Sequence, residues 1–105
     1  MERVSDLKLD LQAVNFTAGE GLKSFIYQKL VDVQRFYSDV VGAEVYLREE
    51  NTAPDNKTAR VKMNIPGNDI VADSTAASWE AAVSEAFEKI KRQFKDRNER
   101  QQRRH

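Results

Sequence analysis

The sequence predicts an α+β domain in the order β-α-β-β-β-α, a four-stranded mixed sheet with two helices on one of its faces. Three observations predict it. Short stretches alternate apolar and polar residues, as half-buried strands do. Two longer stretches space their apolar residues by three and four, as amphipathic helices do. The chain has 105 residues, 40% hydrophobic and 32% charged, which suits a single core.

Each element follows in order. Leu7, Leu9, Leu11 and Ala13 alternate with Lys8, Asp10 and Gln12, the period of a first strand. Thr17, with Glu20 three residues on, has the form of a capping box and predicts a helix start there. Leu22, Phe25, Ile26, Leu30, Val33 and the pair Phe36/Tyr37 then lay an apolar stripe along a helix to about Arg35. After Gly42, Ala43, Val45 and Leu47 alternate with Glu44, Tyr46 and Arg48 as a second strand. Asn51 to Asn56, with Pro54 and Asp55, read as a hairpin tip, because Pro cannot donate to a ladder. Ala59, Val61, Met63 and Ile65 face inward on a third strand, with Arg60, Lys62 and Asn64 outward. Pro66, Gly67 and Asn68 turn the chain into a short fourth strand around Ile70 and Ala72. Ser78 is a suitable N-cap for a second helix, whose stripe is Trp79, Val83, Ala86, Phe87, Ile90 and Phe94.

Because the outward strand residues are polar, only one sheet face can hold helices, and the β-α-β unit prefers a right-handed crossover between parallel strands. The expected core is Leu9, Leu11, Phe25, Leu30, Val45, Leu47, Val61, Met63, Val83, Phe87 and Ile90. Residues 1–6 read as an N-terminal extension, 7–97 as the domain, and 98–105 as a basic tail with no apolar residues to bury.

Chemistry is sparse. The chain has no cysteine, which excludes disulfides, a thiol nucleophile and cysteine metal sites, and suits a reducing compartment, read here as the cytoplasm. Its one imidazole is His105, the last residue, too isolated for acid-base or ligand duty. Glu49, Glu50 and Asp55 flank a turn without the spacing of a calcium loop, and Gly19 and Gly21 do not form a phosphate-cradling pattern. No apolar run is long enough to span a membrane. No enzyme, no cofactor and no metal is therefore expected.

Charge is more informative. Lysine and arginine together number 17 and so do aspartate and glutamate, giving a net charge of zero. Residues 89–105 nevertheless hold eight basic and two acidic side chains, a local excess of six positive charges, so the first 88 residues carry six negative ones. Lys89, Arg92 and Lys95 fall on an exposed edge of the second helix, and Lys23, Lys29 and Arg35 lie outside the stripe of the first. Such charges suit either anion binding or plain solubility. Tyr27 and Tyr46 read as exposed and able to stack on bases.

Over residues 7 to 97 the chain resembles a known family. The segments that carry the resemblance are Lys8-Leu9-Asp10-Leu11-Gln12 with Asn15-Phe16-Thr17, the helix from Leu22 to Leu30, Gly42-Ala43-Glu44-Val45-Tyr46-Leu47, Asn64-Ile65-Pro66-Gly67, and Ala81-Ala82-Val83 leading to Lys89-Ile90-Lys91-Arg92-Gln93-Phe94. Their order and spacing are similar to those of the short ribosome hibernation promoting factors, a family that includes ribosome-associated inhibitor A and has been labelled sigma-54 modulation protein. The resemblance implies the same β-α-β-β-β-α order, similar to a double-stranded-RNA-binding domain with an added first strand. It implies a stress or stationary-phase factor in the mRNA and tRNA channel of the small ribosomal subunit, occluding the A and P sites. The partner implied is that subunit with its 16S rRNA, with no membrane involved. The family's rRNA-binding basic groups fall here on Lys23, Lys29, Lys89, Arg92 and Lys95, pairing with phosphates. Where family members often carry lysine, this chain has Gln28, Asp32, Asp73 and Ser74, which shifts the expected binding toward the second helix. Longer members add a dimerising domain for which 105 residues leave no room, so the chain is not expected to pair ribosomes by itself, and a monomer is expected off the ribosome. The alternative is an adaptor of the same fold that holds a protein partner on its polar outer sheet face, without RNA.

Overall fold

In the computed structural model the alternating and helical stretches become six elements: β1 (Lys8–Ala13), α1 (Glu20–Phe36), β2 (Gly42–Glu49), β3 (Lys57–Asn64), β4 (Ile70–Ala76) and α2 (Trp79–Arg103). The structure describes residues 7–14, 16–50 and 54–103, the last seven of them by backbone only. Residues 1–6, read above as an extension, lie outside the described residues, as do 104–105.

The sheet has the order β1-β2-β3-β4, with β1 parallel to β2 and the other pairs antiparallel. This is the β-α-β crossover followed by two hairpins that the sequence predicts. The register aligns Val45 with Leu11 on one side and Val61 on the other, so the apolar residues of all strands fall on one face. Against that face α2 lies across β3 and β4, and α1 adds the buried Ile26, Leu30 and Val33 to the same core. Phe87, Leu47, Met63 and Ile90 are enclosed at its centre. Two stacked aromatic pairs close its ends, Phe16 on Trp79 with centroids 4.6 Å apart and Tyr37 on Phe94 at 4.3 Å. Both helices therefore run the same way, with their starts at one end and Tyr37 and Phe94 at the other.

Several expectations need correction. The capping box does not form: α1 begins at Glu20 with Gly19 as N-cap and no side-chain cap bond. Thr17 is left two residues short of the cap, and Glu20 turns to Lys23, 3.7 Å away. Phe36 does not join the stripe but is 74% exposed. At 100° per residue it sits roughly 60° beyond Val33 on the side away from Leu30, and Tyr37, just past the helix, takes the inward place on Phe94. Leu9 and Leu11 are half-buried against the core instead of inside it, because β1 is an edge strand, and Phe25 on α1 is half-buried as well. Tyr27 is likewise half-buried, while Tyr46 stands on the open sheet face as expected. Strand β4 runs to Ala76, longer than its two apolar residues suggest, since Ser74 also points inward and is satisfied by Glu85. Ser78 does cap α2, accepting from the Ala81 amide at 3.1 Å.

Helix α2 continues to Arg103, through the segment read above as a tail. Residues 95–103 contain no Gly or Pro and hold three Arg, two Gln, one Lys and one Glu, all good helix formers. Past Phe94, where the buried stripe of α2 ends, the backbone extends roughly 13 Å at 1.5 Å per residue.

Candidate nucleic-acid interface

The cations singled out above all lie on or beside the helical layer, and α2 carries three of them. Ile90 and Phe94 fix the rotation of α2, so the residues flanking them on one side face β4. Three of these, four residues apart, reach it. Glu85 accepts a hydrogen bond from Ser74 Oγ at 2.5 Å, Lys89 Nζ donates to the Asp73 carbonyl at 2.8 Å, and Gln93 Nε2 donates to the Val71 carbonyl at 3.0 Å. Because β4 is an edge strand, those two carbonyls have no ladder partner, and α2 supplies one to each.

Lys89 is thus exposed but tied to the sheet. Arg92 and Lys95 are exposed, and neither forms an ion pair among the described residues. Steps of three residues turn a helix back by 60°, so Lys89, Arg92 and Lys95 sweep roughly 120° from the β4 side across the outer surface of α2 instead of forming a straight line. A shallow groove bounded by Ser84, Glu85, Glu88, Lys89 and Arg92 runs over this surface.

On α1 the two lysines part company. Lys29, half-buried, places its ammonium 5.3 Å from the centre of the Phe25 ring, a cation-π contact that leaves it without a carboxylate. Lys23 pairs with Glu20 and lines a groove beside Leu9 and Leu11 of β1. Lys23 and Lys89 therefore lie at opposite edges of the sheet, and the five cations do not form one continuous strip. Arg35 is held by Asp32 at 3.7 Å.

Most sheet cations are paired, and Lys8 on β1 is the exception among the described residues. On the sheet, Arg48, Lys57, Arg60 and Lys62 each have an acidic partner, Glu50, Glu49, Asp73 and Asp69 respectively. Among the described residues Lys29, Lys89, Arg92 and Lys95, all helical, have none. Glu49 and Glu50 are also explained by this pairing, and no group of three potential metal ligands occurs among the described residues. Sequence reading missed Gln93 and Glu85 as partners of β4; their spacing with Lys89, four and four beside the apolar stripe, was the available signal.

The family model described as sigma 54 modulation protein / S30EA ribosomal protein matches residues 9–102. The chain belongs to that family. Across it, the chain is 21% identical over 96 residues to a ribosome hibernation promoting factor of Pseudomonas putida, covering 91% of each. The fold is shared with a ribosomal subunit interface protein from Coxiella burnetii, with a TM-score of 0.74 and 13% identity over 86% of this chain and 96% of that one. It is shared also with the N-terminal domain of Protein Y from Thermus thermophilus, at a TM-score of 0.69 and 18% identity, covering 84% and 93%. Within the sigma 54 modulation / S30EA fold, four of the five described cations without an acidic partner thus sit on the helical layer, the fifth being Lys8 on β1.

Proposed function

We propose that this chain is a ribosome-binding translation inhibitor. It is a hibernation factor that occupies the mRNA and tRNA channel of the small ribosomal subunit, at the A and P sites, under stress or in stationary phase. It acts by occupancy and performs no chemistry. Membership in the sigma 54 modulation / S30EA family, together with a Pseudomonas putida relative that is a ribosome hibernation promoting factor, supports this reading.

The observation that carries it at residue level is the set of helical cations without acidic partners. A lysine or arginine already paired with a carboxylate gains little by meeting a phosphate, because one ion pair is exchanged for another. Arg92 and Lys95 exchange only water, Lys29 has the Phe25 ring but no carboxylate to leave, and Lys89 keeps donors free beyond the one given to Asp73. Their contacts with 16S rRNA phosphates release condensed counterions, the main source of affinity in such interfaces. Lys23, held by Glu20, contributes at the periphery.

Co-sedimentation with ribosomes on sucrose gradients at low and high salt tests the reading. The protein is expected to travel with the small subunit at low salt and to be released as salt rises. Inhibition of translation in vitro is expected to saturate near one protein per ribosome. Folded protein that stays at the top of the low-salt gradient would overturn the proposal and favour an adaptor using the outer sheet face.

A further inference from the structure

Phe36 is the most exposed large apolar side chain among the described residues, at 74%. Its neighbour Tyr37 closes the core on Phe94, so Phe36 adds little to packing. The two helices define its surroundings. On α1, Phe25, Lys29 and Phe36 are spaced four and seven residues apart and fall within about 40° of one another, on one flank of the helix. Lys23 lies about 140° round the helix from Phe36 and lines the groove beside β1, so the flank of Phe36 is turned toward α2. From the other side Phe94 of α2 reaches Tyr37, and Lys95 is the next residue. Phe36 therefore has a cation to either side, Lys29 about two turns back on its own helix and Lys95 on α2. Neither cation has a carboxylate among the described residues.

We propose that Phe36 is a stacking platform for one unpaired base of the 16S rRNA, with the phosphates on either side of that base meeting Lys29 and Lys95. This contact rests on the ribosome binding proposed above and adds to it a contribution that is not ionic. A single ring flanked by cations suits a nucleotide, because the ring takes the face of a base and the cations take its phosphates. An apolar protein surface would instead have to cover those cations without pairing them. The base is an unpaired one, since a duplex keeps its base faces stacked on one another. The other rings of the helical layer that could serve are already engaged. Phe25 carries the Lys29 ammonium, Tyr37 is stacked on Phe94 and Trp79 on Phe16, whereas Phe36 keeps an open face. Its ring has no donor or acceptor, so the contact adds affinity without reading the identity of the base.

The test is co-sedimentation of the whole chain with purified small ribosomal subunits across a salt series. Phe36→Ala should weaken binding by roughly 5- to 150-fold at every salt concentration, the range for losing one base-aromatic stack. The slope of log affinity against log salt should stay as in the parent, because no ion pair is lost. Phe36→Leu keeps an apolar side chain without a π face and should bind nearly as weakly as Phe36→Ala, while Phe36→Trp should bind at least as well as the parent. The position is exposed, and circular dichroism should show all three variants folded. Trp79 is the chain's one tryptophan, so Phe36→Trp combined with Trp79→Phe carries a single reporter, whose fluorescence should be quenched on adding small subunits. Equal binding by Phe36→Ala, a flattened slope in that variant, or unchanged fluorescence of the reporter would overturn the stacking contact and leave ribosome binding standing. Full affinity in Phe36→Leu would do the same and assign Phe36 to an apolar protein contact. A parent that does not bind small subunits would overturn both.

Discussion

Lys89 and Arg92 are three residues apart on one helix and carry the same charge, yet they do different work. Lys89 spends one of its donors on the carbonyl of Asp73, and Arg92 spends none among the described residues. Lys89→Ala should therefore weaken ribosome binding and also lower stability by about 0.5–1 kcal/mol, the net worth of one exposed hydrogen bond. Arg92→Ala should weaken binding and leave stability within about 0.5 kcal/mol of the parent. Urea denaturation beside a ribosome-binding assay separates the two, and equal stability of both variants would show that the Lys89 bond is idle. The charge of each residue was plain in the sequence, but this difference was not. It depends on which strand lies beneath α2 and on which of that strand's carbonyls lack a ladder partner, facts settled by the sheet order. Phe36 is a similar case. Its spacing matched the apolar stripe, and only the end of α1, where Tyr37 turns inward onto Phe94, decides which ring is left in water.

The elements themselves were legible because each has one apolar face with an unbroken period, and register then brings all those faces together. Their ends were less so. The two helix starts carry equally good capping residues in sequence, but only Ser78 is used, its Oγ accepting the Ala81 amide. Ser78→Ala should cost about 1 kcal/mol, while Thr17→Ala, which removes no cap, should change stability by less than about 0.5 kcal/mol. Thermal melts of both variants check this, and a larger loss at Thr17 would restore the capping box. Gly42, which in sequence stands just ahead of the alternating residues of the second strand, belongs to the β1–β2 pairing and lies opposite Lys8. A Cβ placed there would lie 2.5 Å from the Lys8 carbonyl oxygen, so Gly42→Ala must push β1 away from β2. We expect a loss of about 1–3 kcal/mol, as for other overpacked sites, measured by chemical denaturation.

At the scale of the whole molecule, charge is the organising feature. Six excess positive charges lie in residues 89–105 and six negative ones in the rest, so a neutral chain approaches a polyanion with one end favoured. The end can be located further. The sheet cations other than Lys8 are neutralised by neighbouring carboxylates, and Lys91, on the same helix, is paired with Glu88 at 3.8 Å. Among the residues whose side chains are described, the α2 cations left without a carboxylate for the proposed rRNA contacts are Lys89, Arg92 and Lys95, and of these Lys89 also holds the sheet edge. Reversing all three would confound folding with binding, so the informative variant is Arg92→Glu with Lys95→Glu. Both side chains are exposed and neither has an ion-pair partner to lose among the described residues. The fold should therefore survive, as circular dichroism can confirm. Each phosphate left without its cation should lower the slope of log affinity against log salt by roughly 0.7–0.9, so the double variant should flatten it by roughly 1.5. Deleting 100–105 removes three arginines beyond Phe94 and should weaken binding through diffuse attraction alone, with a smaller change in slope. Ribosome co-sedimentation of the parent and both variants across a salt series decides between these contributions. A folded double variant with an unchanged slope would place the phosphate-binding groups away from the outer surface of α2, leaving Lys29 on Phe25 as the remaining helical cation without a carboxylate among the described residues.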